Sequence, residues 1–411
     1  MSETSHPSMH KAEFIALVAM MFASIAFSID ALLPAMTEIG QALSPQDKNK
    51  AQLVLTIFVL GMGVGTFFTG PLSDALGRKP VILIGSILYI FGATIGIFSQ
   101  SLETLLVSRL LMGFGAAGPR VVALAVVRDL FSGREMAKIM SIAMMIFTLV
   151  PAIAPAIGAG IIAIAGWRSI FLAFVVFASI IVVWSALRLP ETLPKSARRP
   201  FRFPKLIEAA KEIFTHPTVR LAIVVQALCM GMLFSTLTMV QQIYDEIYDA
   251  ADSFPFWFGI VALIAGSANI LNASLVVRIG MRPMVTVSLA VQALCCLGIL
   301  SLVQSDLPSD VMFYVFVAWQ TSIFFMVGTT LGNLNALAME PIGHIAGMAA
   351  SVIGSVSTIV AVLIAVPVGQ LFDGSLTPLA VALLIMSVLG FFIMQYLGRL
   401  EARLSPQETT T

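Results

Sequence analysis

Gly70-Pro71-Leu72-Ser73-Asp74-Ala75-Leu76-Gly77-Arg78-Lys79-Pro80 is a short charged turn wedged between two long apolar runs. It returns, weakened, in the second half of the chain. There Arg278-Ile279-Gly280-Met281-Arg282-Pro283-Met284 aligns with Ala75-Leu76-Gly77-Arg78-Lys79-Pro80-Val81. A polar hinge repeated at the same place predicts two similar membrane bundles that move against each other. The second copy has Val277 where the first has Asp74. The first turn therefore carries the charge chemistry, and the second mainly keeps the turn.

The rest of the chain explains why such a hinge stands out. Of 411 residues, 58% are hydrophobic and 11% charged, where a soluble protein carries about 25% charged residues. Mean hydropathy is +0.97. A bilayer-spanning helix takes about 20 mainly apolar residues. Twelve such runs lie near 13–36, 52–70, 80–99, 104–127, 137–163, 168–188, 218–240, 254–277, 284–303, 311–336, 346–368 and 377–397. They are apolar on all faces, unlike the alternating strands of a membrane barrel. The predicted fold is an all-α membrane protein of twelve transmembrane helices in two six-helix bundles, 1–189 and 218–411. A cytoplasmic amphipathic linker, 190–217, joins them.

The linker opens Pro190-Glu191-Thr192-Leu193-Pro194-Lys195 and continues through Arg198, Arg199, Arg202 and Lys205. Leu206, Ala209, Ala210, Ile213 and Phe214 then recur at helical spacing opposite Glu208, Lys211 and Glu212. That pattern reads as a surface helix held down by anionic lipid. At the N-terminus a polar stretch leads into a long apolar run with no small-residue cleavage site, which predicts an uncleaved first helix. Of the 23 Lys and Arg, Lys48, Lys50 and Arg168 fall on one side and Arg109 and Arg120 within a span. The others fall on the opposite side, so both termini are expected in the cytoplasm. Cys229, Cys295 and Cys296 lie in apolar runs without metal-ligand spacing and read as small hydrophobes.

Asp30 is the one acid well inside a first-half span. A charge at membrane depth costs roughly 2.5–3.5 kcal/mol on insertion scales, so it persists where it pairs, faces water or titrates. Switching between surroundings would load and release a proton. The alternative is a static partner for Arg109. Arg109 and Arg120 are eleven residues apart, which puts them within about 20° of one face and about 16 Å apart. That face is expected to line the central cavity. Arg120, just after Pro119, could hold a carboxylate, sulfonate or phosphate of a substrate, or snorkel to the cytoplasmic end. Asp74, Arg78 and Lys79, with Arg128 and Asp129 after the fourth run, make a charge set at one membrane face, and Gly70 and Gly77 allow the close turn. Pro151, Pro155, Gly158 and Gly160 remove helix hydrogen bonds and bulk from the fifth run. They predict a kinked helix with a smooth face toward the second half. Gln226, Asn269, Asn272, Asn333 and Asn335 are candidate cavity groups, as are Gln241 and Gln242, although interhelical bonding explains most such residues.

No catalytic constellation is present, and His6, His10, His216 and His344 lie at ends or loops. No phosphate-binding loop is present either. An enzyme, a metal or a cofactor is therefore not expected, and the energy source is an ion gradient or the substrate's own gradient.

These segments resemble the major facilitator superfamily, in particular the Bcr/CflA group of drug:proton antiporters, along essentially the whole chain. Gly70 to Val81 is similar to the family's GxLaDrxGRkxxl turn. Arg109-Leu-Leu-Met-Gly-Phe-Gly-Ala-Ala-Gly through Arg128-Asp129 is similar to RxxqGxgaa. Pro151-Ala-Ile-Ala-Pro155-Ala-Ile-Gly158-Ala-Gly160, followed by Gly166-Trp167-Arg168, resembles the antiporter signature, and Asp30 stands four residues before Pro34 as in these exporters. The resemblance implies proton-coupled export of drug-like or amphipathic small molecules by alternating access from a bacterial inner membrane. It implies Arg109 as the arginine shaping the proton site, and the charge set as a latch closed when the cavity faces outward. Expected partners are small molecules, protons and the bilayer, with no nucleic acid, and a monomer as the working unit. Met112, Leu124, Phe22 and the pair Pro119-Arg120 depart from the family pattern. They leave open a second reading, a carrier of one organic anion anchored at Arg120. A membrane sensor lacks the soluble domain it would need.

Overall fold

The structure is a computed structural model describing residues 9–305 and 307–404. The expected cytoplasmic placement of both termini concerns residues outside that range. Eleven stretches are long and apolar enough to cross a membrane, and one of them, Ser309–Gln370, holds 62 residues. That one is two helices, parted at Glu340–Ile345 where Ile342 takes φ −123° and ψ 31°. The described residues thus form twelve spanning helices.

Contacts divide the chain into two compact units, Met1–Phe203 and Pro204–Thr411. The first holds α1 (Lys11–Asp30), α2 (Met36–Leu43), α3 (Leu53–Leu76), α4 (Arg78–Ile97), α5 (Leu102–Leu130), α6 (Gly133–Ala165) and α7 (Ser169–Arg188). Missing side chains set its packing: a Cβ on Gly61 or Gly113 would overlap the backbone oxygen of Leu110 or Phe58 across the α3–α5 seam. Close backbone approach of this kind replaces the hydrophobic drive that lipid cannot supply. Outward faces stay apolar, as at Ile164 and Phe98.

Two expectations change here. The first run is not one helix: α1 stops at Asp30, and Leu33–Ala35 forms a 3-10 turn around Pro34 before α2. Proline lacks the N–H that would continue the ladder, so Asp30 lies at a helix end rather than well inside one. The charged hinge is also much shorter than its polar letters suggest. α3 runs through Gly70 and Pro71 to Leu76, and only Gly77 leaves helical space, at φ 108° and ψ 163°. The fifth run, with Pro151 and Pro155 inside it, is one 33-residue helix, α6.

The second unit holds α8 (Phe203–Thr215, from its second residue), α9 (Pro217–Gln242), a π turn at Ile243–Ile247, α10 (Phe254–Ile279), α11 (Met281–Val303), α12 (Ser309–Met339), α13 (Ala346–Gln370) and α14 (Thr377–Leu404). Gly280 separates α10 from α11 at φ 88° and ψ 160°, nearly the conformation of Gly77. The repeat extends to side chains two residues on. Lys79 Nζ donates to the Ala186 carbonyl on α7 at 2.7 Å, and Arg282 Nη1 meets Glu401 Oε2 on α14 at 2.6 Å. Each ties the third spanning helix of its unit to the sixth.

Candidate functional site

The end of α1 gathers the first set of candidates. Asp30 is 5% exposed and has no hydrogen bond or ion pair among the described residues. Its neighbour Ala31 is pressed by α6, because a Cβ on Gly158 would overlap the Ala31 carbonyl oxygen. Gly158 thus serves a contact inside the first unit, with the end of α1, rather than the smooth outer face expected of it. Gly160 meets nothing within 4 Å of an added Cβ, Pro155 is buried and Pro151 is half-buried.

Arg109 is fully buried yet pairs with no acid among the described residues. Its Nη2 donates to the Ser28 carbonyl of α1 at 3.0 Å and its Nε to the Val54 carbonyl of α3 at 3.1 Å. The guanidinium lies 4.3 Å from the centre of the Phe58 ring. Backbone oxygens and an aromatic face are what a desolvated guanidinium can use in place of a counter-ion. So α5 is tied to α1, but through Ser28 and not through Asp30. The head of Arg109 is wholly enclosed within the first unit. Ser28 also meets the Tyr89 hydroxyl at 2.5 Å, bringing α4 to the same junction. Ser28 and Tyr89 were not singled out in the sequence, because one serine and one tyrosine in apolar runs carry no pattern.

Farther along α5, Arg120 is half-buried, and its Nη1 lies 3.6 Å from the Met62 sulfur. No acid reaches it among the described residues. A thioether is a weak acceptor, so this guanidinium retains most of its donors.

The third set lies where α3, α4 and α5 end. Arg78, 8% exposed, is its hub. Nη1 meets Asp74 Oδ1 at 2.6 Å and Ser73 Oγ at 2.7 Å, and Nε meets Asp129 Oδ2 at 2.9 Å. The Asp129 carboxylate is less exposed than that of Asp74, 21% against 50%, so it is the stronger partner by burial. Lys79 is engaged with a carbonyl as described above. Arg128 is exposed and joins no ion pair among the described residues, so it falls outside the network. Gly70 contributes its carbonyl, which accepts from Ser73 Oγ at 2.9 Å.

The linker supplies members that the sequence reading passed over. Glu191 Oε1 accepts from Arg78 N at 2.9 Å and from Leu193 N at 3.0 Å. It thereby satisfies a free N–H at the start of α4, where negative charge is also favoured. Thr192 Oγ1 donates to Asp129 at 2.9 Å, Arg198 stands 3.7 Å from Glu191, and Arg199 N donates to the Asp74 carbonyl at 3.0 Å. A Cβ on Gly77 would overlap Glu191 Oε2 and lie 2.8 Å from Arg198 Nη2. The available signal was a proline-flanked glutamate leaving a span on the side that bears Arg78.

In the second unit the polar candidates scatter. Asn333 Nδ2 donates to Asn272 Oδ1 at 2.7 Å and to the Thr329 carbonyl at 2.9 Å, an interhelical bond between α10 and α12. Gln226 is buried, and its Oε1 has no partner among the described residues. Asn269 and Asn335 are exposed and do not join the Asn272–Asn333 pair. Gln241 and Gln242 are buried and engaged. No group of three or more metal-ligating side chains occurs among the described residues.

The comparisons agree with this architecture. The profile of the Major Facilitator Superfamily matches residues 15–366. A bicyclomycin resistance protein homolog of Haemophilus influenzae is 28% identical over 375 residues, 90% of this chain and 92% of that protein. Multidrug resistance protein D of Escherichia coli is 24% identical over 399 residues, 91% and 92% of the two chains. Among solved structures, a D-xylose-proton symporter superposes with a TM-score of 0.73 at 13% identity, over 93% of this chain and 97% of that one.

Proposed function

Because this chain belongs to the Major Facilitator Superfamily, a family of multi-pass membrane transporters and not of enzymes, we propose that it is a proton-coupled exporter of drug-like or amphipathic small molecules in the bacterial inner membrane, with both termini cytoplasmic. The observation that carries the reading is Asp30: a buried carboxyl on a spanning stretch with no partner among the described residues. An acid that only held helices together would be expected to meet Arg109, and Arg109 is occupied by carbonyls. A carboxyl that is enclosed in one state and wetted in another takes up a proton in the first and gives it up in the second. The drug-resistance names of the relatives support the direction and the substrate class. The network around Arg78 supports alternating access. Ion pairs this enclosed bias a two-state equilibrium if they form in one state only.

The test is accumulation of a charge-diverse compound panel in an efflux-deficient bacterial host, with an uncoupler control. Asp30→Asn should express normally and abolish uncoupler-sensitive efflux. Transport like wild type by Asp30→Asn would make Asp30 structural and sink the reading. A second reading, a carrier for one class of organic anion, is favoured by the free donors of Arg120. On that reading Arg120→Leu loses anionic substrates and keeps neutral ones. Unchanged selectivity would dismiss it.

A further inference from the structure

α8 is amphipathic over a wider arc than the protein covers. Leu206, Ala209 and Ile213, at 1%, 4% and 0% exposure, pack inward, within about 60° of one another on the helix. Phe203, Ile207 and Phe214 form a second apolar stripe, within about 40° of one another and about 100° from the first. These three are 49%, 40% and 38% exposed, and Phe201 just upstream is 38% exposed. Aromatic and branched side chains on this stripe are left about half uncovered by the protein.

Chain continuity places the stripe beside the bilayer. α8 ends at Thr215 and the spanning helix α9 begins at Pro217, with His216 alone between them. Unpaired bases outnumber unpaired acids around the stripe. Arg199, Arg202, Lys211 and Arg220, in and beside α8, are exposed, and no acid pairs with them among the described residues, whereas Lys205 lies on the opposite face of the helix. The nearby acids are mostly engaged, Glu191 with Arg198 and Glu212 with His344. The exposed Glu208 lies about 120° around the helix from the stripe. An apolar strip flanked by free bases at the foot of a membrane span fits an anionic headgroup layer. A second copy of the same surface would bring like charges together.

We infer that the Phe203–Ile207–Phe214 face of α8 docks into anionic lipid and that the flanking bases hold it there. The test uses the full chain with Cys229, Cys295 and Cys296 replaced by Ala, and a nitroxide at Ile207→Cys or, as a polar-face control, at Glu208→Cys. The protein is placed in vesicles of phosphatidylcholine alone or mixed with phosphatidylglycerol. Collision with oxygen reports lipid, and collision with a water-soluble nickel chelate reports water. In the anionic vesicles the Ile207 label should favour oxygen several-fold over the Glu208 label. Each base near an anionic surface is worth a factor of about five, so Arg199→Gln, Arg202→Gln and Lys211→Gln together should lower docking about a hundredfold. Three results overturn the inference: equal water access at both labels in both vesicles, an Ile207 label shielded equally in neutral lipid and indifferent to the triple substitution, or shielding that grows with protein concentration.

Discussion

Gly77→Ala separates two reasons for one glycine. At φ 108° and ψ 163° a residue with a Cβ pays backbone strain of about 1–3 kcal/mol. The same atom would overlap Glu191 Oε2, whose carboxylate is held by Arg78 N and Leu193 N. Moving Glu191 aside sacrifices at least one bond to a charged group, about 1.5–3 kcal/mol. The whole cost is then about 2.5–6 kcal/mol. Gly280 is the internal control. It sits at φ 88°, and its added Cβ would meet only Pro283 Cδ, at 3.7 Å. Gly280→Ala should therefore show the backbone strain alone. Unfolding of the purified chain titrated with dodecyl sulfate in mixed micelles measures both variants. Gly77→Ala should exceed Gly280→Ala by about 1.5–3 kcal/mol, and in a Glu191→Ala background the excess should vanish. Equal costs in the natural chain, or an excess that survives removal of Glu191, would refute the capping role given to that residue.

Two further outcomes follow from the same geometry. Asp129→Asn should slow turnover in proteoliposomes more than Asp74→Asn, by roughly tenfold for each 1.4 kcal/mol of difference, since Asp129 is the more enclosed and also holds Thr192. Equal losses would contradict the ranking. Arg109→Leu strands the Ser28 carbonyl at the end of α1, at about 1–3 kcal/mol, and removes the second bond that the Val54 carbonyl accepts beside its helical one. The yield of monodisperse protein in fluorescence-detected chromatography should fall sharply, with Arg109→Lys intermediate, and a normal Arg109→Leu profile would show that the Ser28 carbonyl finds another donor.

The twelve spans were readable because lipid demands long apolar runs whatever the sequence between them. The repeat was readable because a left-handed glycine leaves a mark, Gly77 and Gly280, at equivalent places. Helix ends were harder to read. Polar letters from Gly70 onward suggest a loop, yet Ser73 and Asp74 are helical residues turned toward Arg78. Asp30 and Arg109 were legible as charges in oil, but their relation was not. Carbonyl partners such as those of Ser28 and Val54 belong to the backbone, and no side-chain pattern announces them. Glu191 escaped for the opposite reason: it sits among proline and polar residues, where a structured role and a solvated linker read alike.

The bonds from Glu191, Thr192 and Arg199 back to α4, α5 and α3 determine where the polypeptide can be opened. Apolar patterning ends near Arg188, and a gene split there would seem natural. It would strip the first fragment of the carboxylate over Gly77 and the hydroxyl on Asp129. A split after Arg202 leaves both with the fragment that uses them, and leaves α8 whole on the other. For co-expressed halves, the productive junction lies a dozen or so residues beyond the last membrane residue, inside what composition alone would call spacer.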